Sequence, residues 1–302
     1  MRTVSASLAA FVNRHFAGGS GGFGAIRALE AGAGGDCLYH SFAAGLEQML
    51  RCNPAAAQHV LRKIPLDVFA AGKLAVVAFL RRLSAEAMDA WAPETFLDYV
   101  VSRAMDMRSG FFRDGWNPRA LLQACGFSAL LDCESVLAYG DAADGDSGDA
   151  TCRIVRTDAY RGGAREEQLV CLPQGHSCLT ALRVCVKDEI MRLGNNHWGD
   201  WFDVQSLSDG LDVGVLMFCD ELQDEGRQCF YNIGAQREDY AFWIALWWDP
   251  PTHFRLAQLA CGDEELGANV EPSHTGFISF WATAELPHAL LEHYQSCNRL
   301  SN

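Results

Sequence analysis

The chain has 302 residues, 49% of them hydrophobic and 11% aromatic, which suffices for one large domain or two ordinary ones with a sizeable core. Its 24 Lys and Arg against 38 Asp and Glu give a net charge of −14, which argues against a general nucleic-acid binder and fits either plain solubility or a surface that attracts basic partners. No apolar run reaches the roughly 18 residues of a membrane-spanning helix, and the stretch from Met1 to Phe16 has the wrong pattern for a secretory signal. The 12 cysteines need form no disulfide framework in a chain this long, so they are expected to be reduced, in a cytoplasmic or nuclear setting.

In chain order, residues 1–29 read as a flexible lead-in whose glycines run on to position 35, ending in a tight approach to the first helix. From Leu38 the pattern turns helical, with Leu38, Phe42, Leu46, Met49 and Leu50 on one face. Residues 55–105 are expected to be helical, broken at Pro65 and near Pro93. A short helix over 118–126 is opened by Pro118 and closed by Gly126. The acidic, low-complexity stretch 140–150 reads as a mobile loop; it resembles a calcium loop in composition but lacks the closing glutamate. Beyond residue 180, Leu182–Leu193 and Val204–Leu211 read as helices. Candidate strands are Val213–Cys219, Cys229–Ile233, Tyr240–Trp248 and His253–Leu259, before a closing helix over Leu286–His293. Helices first and strands later predict an α+β fold, a helical N-terminal half with a small central sheet.

The chemistry concentrates in Gly34-Gly35-Asp36-Cys37-Leu38-Tyr39-His40-Ser41. A cysteine in the first turn of a helix meets the positive end of the helix dipole, which favours its thiolate. The backbone N–H groups of Gly34, Gly35, Asp36 and Cys37 are candidates to hold an oxyanion. A buried structural cysteine after a turn would fit the same residues. His40 is expected to pack on its helix rather than reach the sulfur. Cys171, His176, Cys178 and Cys185 are soft ligands within fifteen residues, but their spacing is not that of a zinc site, and no metal is assigned.

Three segments together resemble the ovarian-tumour (OTU) family of cysteine isopeptidases. The first is Gly34-Gly35-Asp36-Cys37-Leu38-Tyr39, similar to the family's Asp-Gly-Asn-Cys-Leu-Phe; Gly34 and Asp36 depart from that pattern. Its continuation into His40-Ser41 is similar to OTU-like proteins of large DNA viruses, which would put the chain in host cytoplasm or virion. The second is Trp198-Gly199-Asp200, ahead of a helix and a strand. The third is Trp248-Asp249-Pro250-Pro251-Thr252-His253-Phe254, where Pro250 and Pro251 would stiffen the loop that delivers His253.

The resemblance implies a papain-related fold over residues 30–265, with an insertion over 130–180 and a C-terminal extension with a short helix over 266–302. It implies Cys37 as nucleophile, His253 as general base, and Trp198, Gly199, Trp248 and Phe254 beside the substrate channel. It implies no cofactor, and ubiquitin, polyubiquitin or a ubiquitin-like modifier as partner. The family's usual orienting residue, two beyond the histidine, is here Arg255, which cannot accept a hydrogen bond. Asp249, at the other end of the same loop, and Asp36 are the side-chain candidates for that role, with a backbone group or water as the alternative. A ubiquitin-binding protein that does not cut, a cysteine hydrolase of another substrate, and a virion component reusing the fold are the competing readings.

Overall fold

The computed structural model describes residues 26–32, 34–109, 115–131, 133–141, 151–158, 167–173, 175–194, 197–219, 239–249, 253–260 and 277–286. The chain is mixed helix and sheet, in two compact units: residues 1–84 with 198–302, and residues 85–197.

In the first unit, strand β1 (Ile26–Leu29) precedes a single 3-10 turn, Gly34–Asp36, that leads into helix α1 (Cys37–Cys52). Helices α2 (Pro54–Lys63), α3 (Leu66–Ala70) and α4 (Lys73–Ala87) follow. Their boundaries are set by familiar devices. The Asn53 side chain accepts from the Ala55 and Ala56 amides ahead of α2, with Pro54 at the first position, and Pro65 caps α3. The chain returns to this unit with α8 (Trp201–Leu211), which follows elements of the second unit, and then strands β5 (Val213–Cys219), β6 (Phe242–Asp249) and β7 (His253–Ala260). Two short strands, β8 (Phe277–Ile278) and β9 (Phe280–Ala282), complete it.

The main sheet runs β1-β7-β6-β5; β5 and β6 are parallel and the other pairings antiparallel. β6 and β7 pair from Asp249↔His253 to Leu246↔Leu256. Beyond that they take separate partners: β9 pairs with β6 at Phe242–Ile244 and β8 with β7 at Leu259–Ala260. Helix α1 packs its predicted face onto this sheet. Leu38, Phe42, Leu46 and Met49 are fully buried against Val215, Ile244, Leu246 and Leu256, each worth about 1.5–3 kcal/mol of burial, while Leu50 is only partly covered.

The second unit begins at the end of α4 and contains α5 (Pro93–Ser109), α6 (Pro118–Ala124) and α7 (Gly175–Met191) around a core of Phe96, Val100, Leu122, Phe127, Leu182, Val186 and Ile190. A three-stranded antiparallel sheet, β2 (Cys133–Asp141), β3 (Thr151–Asp158) and β4 (Glu167–Pro173), lies between α6 and α7 in the chain.

Several expectations change here. Residues 26–29, assigned to a flexible lead-in, form a sheet strand, paired antiparallel with β7 from Ile26↔Leu259 to Leu29↔Leu256. Residues 277–282, assigned to a C-terminal extension, pair with β6 and β7. The structural boundary of the second unit lies at 85 and 197, wider than 130–180, and its sheet interrupts the expected order of helices then strands. The expected strand Cys229–Ile233, the loop core 142–150 and the helix beyond Leu286 lie outside the described residues.

Candidate functional site

Cys37 is the first residue of α1, entered from the Gly34–Asp36 turn, where Gly34 has φ 74°, a left-handed conformation that suits glycine. Helix entry and sheet meet at Phe254. Its N–H donates to Cys37 Sγ at 3.4 Å, and its carbonyl accepts from Ser41 Oγ at 3.3 Å. The same Ser41 hydroxyl reaches the Cys37 carbonyl at 2.8 Å. β1 leaves β7 at the Leu29↔Leu256 pair. The first turn of α1 therefore sits where β1 stops, answering the backbone groups of Phe254 in place of a strand.

This contact brings Cys37 to the start of β7, one residue from His253. The Nε2 of His253 is 2.8 Å from Glu30 Oε2, and Arg255 Nε donates to the same oxygen at 3.1 Å. Alternation along β7 puts His253 and Arg255 on one face, and Glu30, directly after β1, reaches across to both. A carboxylate only accepts, so the ring proton sits on Nε2 and Nδ1 is left as the basic nitrogen. Partial burial raises the Glu30 carboxyl, but the His253 and Arg255 contacts outweigh it and hold the group below its ordinary 4.5.

Neither aspartate expected to orient His253 bonds it. Asp249 is the cross-strand partner of His253, yet its Oδ2 is 2.8 Å from Arg255 Nη1 and its Oδ1 accepts from Trp247 Nε1 at 2.9 Å. The arginine that cannot accept a bond draws the Asp249 carboxylate to itself. Asp36 is buried and paired instead with the wholly buried Arg81, whose Nε donates to Asp36 Oδ1 at 2.5 Å and whose Nη2 donates to the Gly35 carbonyl at 3.2 Å. The residue sequence reasoning missed is Glu30. Its signal was a four-residue segment, Ile26–Leu29, followed by a carboxylate seven residues ahead of the cysteine.

The Cys37 thiol is fully buried, and burial pushes it from an ordinary 9.0 up to about 11. The N–H groups of Phe254, Leu38 and Cys37 itself pull the other way, and the Glu30 charge raises it further. His40 does not compete for the role of base. Its ring lies against Gly32, where a Cβ would collide with it, and its Nδ1 has no hydrogen-bond partner among the described residues. Burial, with the Lys73 charge, lowers its pKa.

Of the expected channel residues, Gly199 is buried where a Cβ would come 2.5 Å from Leu38 Cδ2, so this segment presses on the residue next to the cysteine. Trp198, next to it, is partly buried. Phe254 and Trp248 meet at Trp201, which stands edge-on to both, with ring centroids 4.7 Å apart for Trp248 and 6.0 Å for Phe254. Asp200 caps α8 in a reciprocal box with Asp203 and so fixes where Trp201 starts. No group of three or more His, Cys, Asp or Glu among the described residues is placed to hold a metal, and none of their helices is long and apolar enough to cross a membrane.

The residue types of nucleophilic acyl transfer are thus present at the start of β7: a thiol on the Phe254 amide, the imidazole of the preceding residue, and a carboxylate on that imidazole. Comparison with family models, with curated proteins and with solved structures finds no match to this chain.

Proposed function

We propose that the chain is a thiol-dependent isopeptidase of OTU type, cleaving after the C-terminal glycine of ubiquitin or a ubiquitin-like modifier. The observation that supports this reading is the 3.4 Å contact from the Phe254 amide to Cys37 Sγ, one residue along the chain from a histidine that a carboxylate holds. The order of cysteine helix, Trp-Gly segment, helix, strand and histidine strand also fits the family resemblance.

In the proposed reaction Nδ1 of His253 takes the Cys37 proton and the sulfur attacks the carbonyl carbon of the terminal glycine. The tetrahedral oxyanion is received by backbone N–H groups of the Gly34–Cys37 turn. The intermediate collapses, the carbon–nitrogen bond breaks, and the imidazolium gives its proton to the leaving lysine amine. A water, deprotonated by the same imidazole, then attacks the thioester; the acid is released and the thiol restored. Glu30 keeps Nε2 protonated through both halves.

A non-cutting ubiquitin binder is the second reading, favoured by one observation: a fully buried thiol pushed up to about 11 is a poor resting nucleophile. Incubation of the full chain with isopeptide-linked diubiquitin separates the two. Release of monoubiquitin, absent in Cys37→Ala, supports the isopeptidase; binding without release supports the binder. Neither binding nor release leaves a cysteine hydrolase of another substrate.

A further inference from the structure

His253 bonds the less expected of two carboxylates. Asp249 is its direct partner across the β6–β7 pair, and directly opposed side chains of an antiparallel pair start from Cβ atoms about 4.5–5.5 Å apart, within reach of a carboxylate and an imidazole. Asp249 is also the better covered of the two, with 21% of its side chain exposed against 51% for Glu30. Solvent screens an exposed pair, so the covered carboxylate should be the stronger partner. His253 Nε2 nevertheless sits 2.8 Å from Glu30 Oε2.

Arg255 accounts for this choice. It lies two residues beyond His253 on the same face of β7, with β1 on one side and β6 on the other. Towards β1 its Nε donates to Glu30 Oε2 at 3.1 Å; towards β6 its Nη1 forms an ion pair with Asp249 Oδ2 at 2.8 Å. Asp249 Oδ2 is buried and makes no hydrogen bond among the described residues, so the guanidinium charge is what balances it. The other oxygen, Oδ1, accepts from Trp247 Nε1 at 2.9 Å. Glu30, by contrast, receives Arg255 and His253 on a single oxygen. One planar fork thus ties Asp249 down and steadies Glu30 against the imidazole. A lysine could supply the charge but not the two fixed directions.

Without the guanidinium both restraints go. Glu30, half exposed and just past the end of β1, loses one of its two anchors. Asp249 Oδ2 becomes a buried charge without its counterion, which is costly, and the His253 ring lies within its reach across the strand pair. We propose that Arg255 is a positioning residue that assigns the orienting of His253 to Glu30 by holding Asp249 out of that role. Its catalytic meaning rests on the isopeptidase reading of Cys37 and His253. Arg255 acts through the two carboxylates and not on the sulfur.

The test uses the full chain and asks on which carboxylate activity depends, with Arg255 and without it. Glu30→Gln and Asp249→Asn are each made alone and together with Arg255→Met; Arg255→Gln, neutral but polar, replaces the methionine if that variant does not fold. With Arg255 in place, Glu30→Gln should lower kcat for diubiquitin cleavage by about tenfold and Asp249→Asn by under about twofold. In Arg255→Met the order should invert. Adding Glu30→Gln should cost under about threefold and adding Asp249→Asn about fivefold or more, the non-additivity of side chains that share a partner. KM should stay within about twofold throughout, since the carboxylates act on the base. The ring-nitrogen NMR signal of His253, in protein with isotope-labelled histidine and assigned by its loss in His253→Ala, reads the same choice without activity. It should respond to Glu30→Gln in the wild type and to Asp249→Asn in Arg255→Met. An unchanged dependence on Glu30 in both backgrounds overturns the proposal and leaves the isopeptidase standing. A loss of thermal stability in Arg255→Met, with no change in which carboxylate matters, also overturns it, in favour of a merely structural arginine. A wild type that cleaves no diubiquitin overturns the isopeptidase reading, and the NMR comparison then decides the pairing by itself.

Discussion

Cys37 in the first unit and Cys125 in the second are both thiols pushed up to about 11, and the reasons differ. Cys125 follows the C-terminal end of α6, at the negative end of a short helix. Burial raises it first, then the charge of Cys185 and a hydrogen bond with that side chain, then the charge of Cys178. All four push in the same direction. At Cys37 burial is opposed by three backbone N–H groups that would stabilise a thiolate. Admitting water or substrate there would lift the opposing cost and leave the donors in place, whereas the groups that act on Cys125 all disfavour an anion. A shifted thiol is therefore not in itself a mark of function; the direction of the groups around it decides.

The largest effect that tests this contrast is at the sulfur itself. Cys37→Ala should abolish diubiquitin cleavage, measured by gel at equal protein concentration, while Cys125→Ser should leave it within about twofold. Comparable losses from both would erase the distinction drawn between the two thiols. Next comes the base: His253→Ala should lower kcat by about 100-fold to 10,000-fold, the usual range for general acid–base catalysis, with KM little changed. A retained rate would mean that another group takes the thiol proton.

A smaller effect separates the two carboxylates near His253. Glu30→Gln should cost about tenfold in kcat, less than loss of the imidazole because Glu30 is half exposed, and Asp249→Asn under about twofold. The reverse order would return the orienting role to Asp249. The smallest effect is on stability. A thiol raised in the folded state and ordinary in the unfolded state costs nothing below pH 9.0; its folded form then loses ground as pH rises towards about 11. Cys37→Ser should therefore narrow its stability gap to the wild type between those values, read as denaturant midpoints at pH 8 and pH 10.5. A constant gap would mean that the thiol is not held protonated by burial.

The sequence made the buried face of α1, the opening of α6 at Pro118, the Val213–Cys219 strand and the two strands of the β6–β7 pair legible. Each rests on local periodicity or on a residue with one strong backbone preference. It did not reveal β1 or the short strands β8 and β9, because two to four residues carry no periodicity and their stability comes from pairing with β6 and β7. In the candidate site, Cys37 and His253 stood out by their neighbours in the chain. Glu30 and Arg81 did not. Their roles depend on which long-range partner the fold brings within reach, over 223 positions for Glu30 and His253 and 45 for Arg81 and Asp36. Trp201 was hidden by its neighbour Trp198, since one aromatic in such a segment reads much like another until ring contacts are seen.

The central claim is that Cys37 becomes a nucleophile through His253 when a ubiquitin C-terminus is presented to it. Ubiquitin carrying a thiol-reactive group at its C-terminus, followed by mass mapping of the adduct, measures this directly. The account predicts one adduct, at Cys37, formed far more slowly in His253→Ala and absent in Cys37→Ala. An adduct on Cys125 or another thiol, or a rate at Cys37 indifferent to His253, would contradict it.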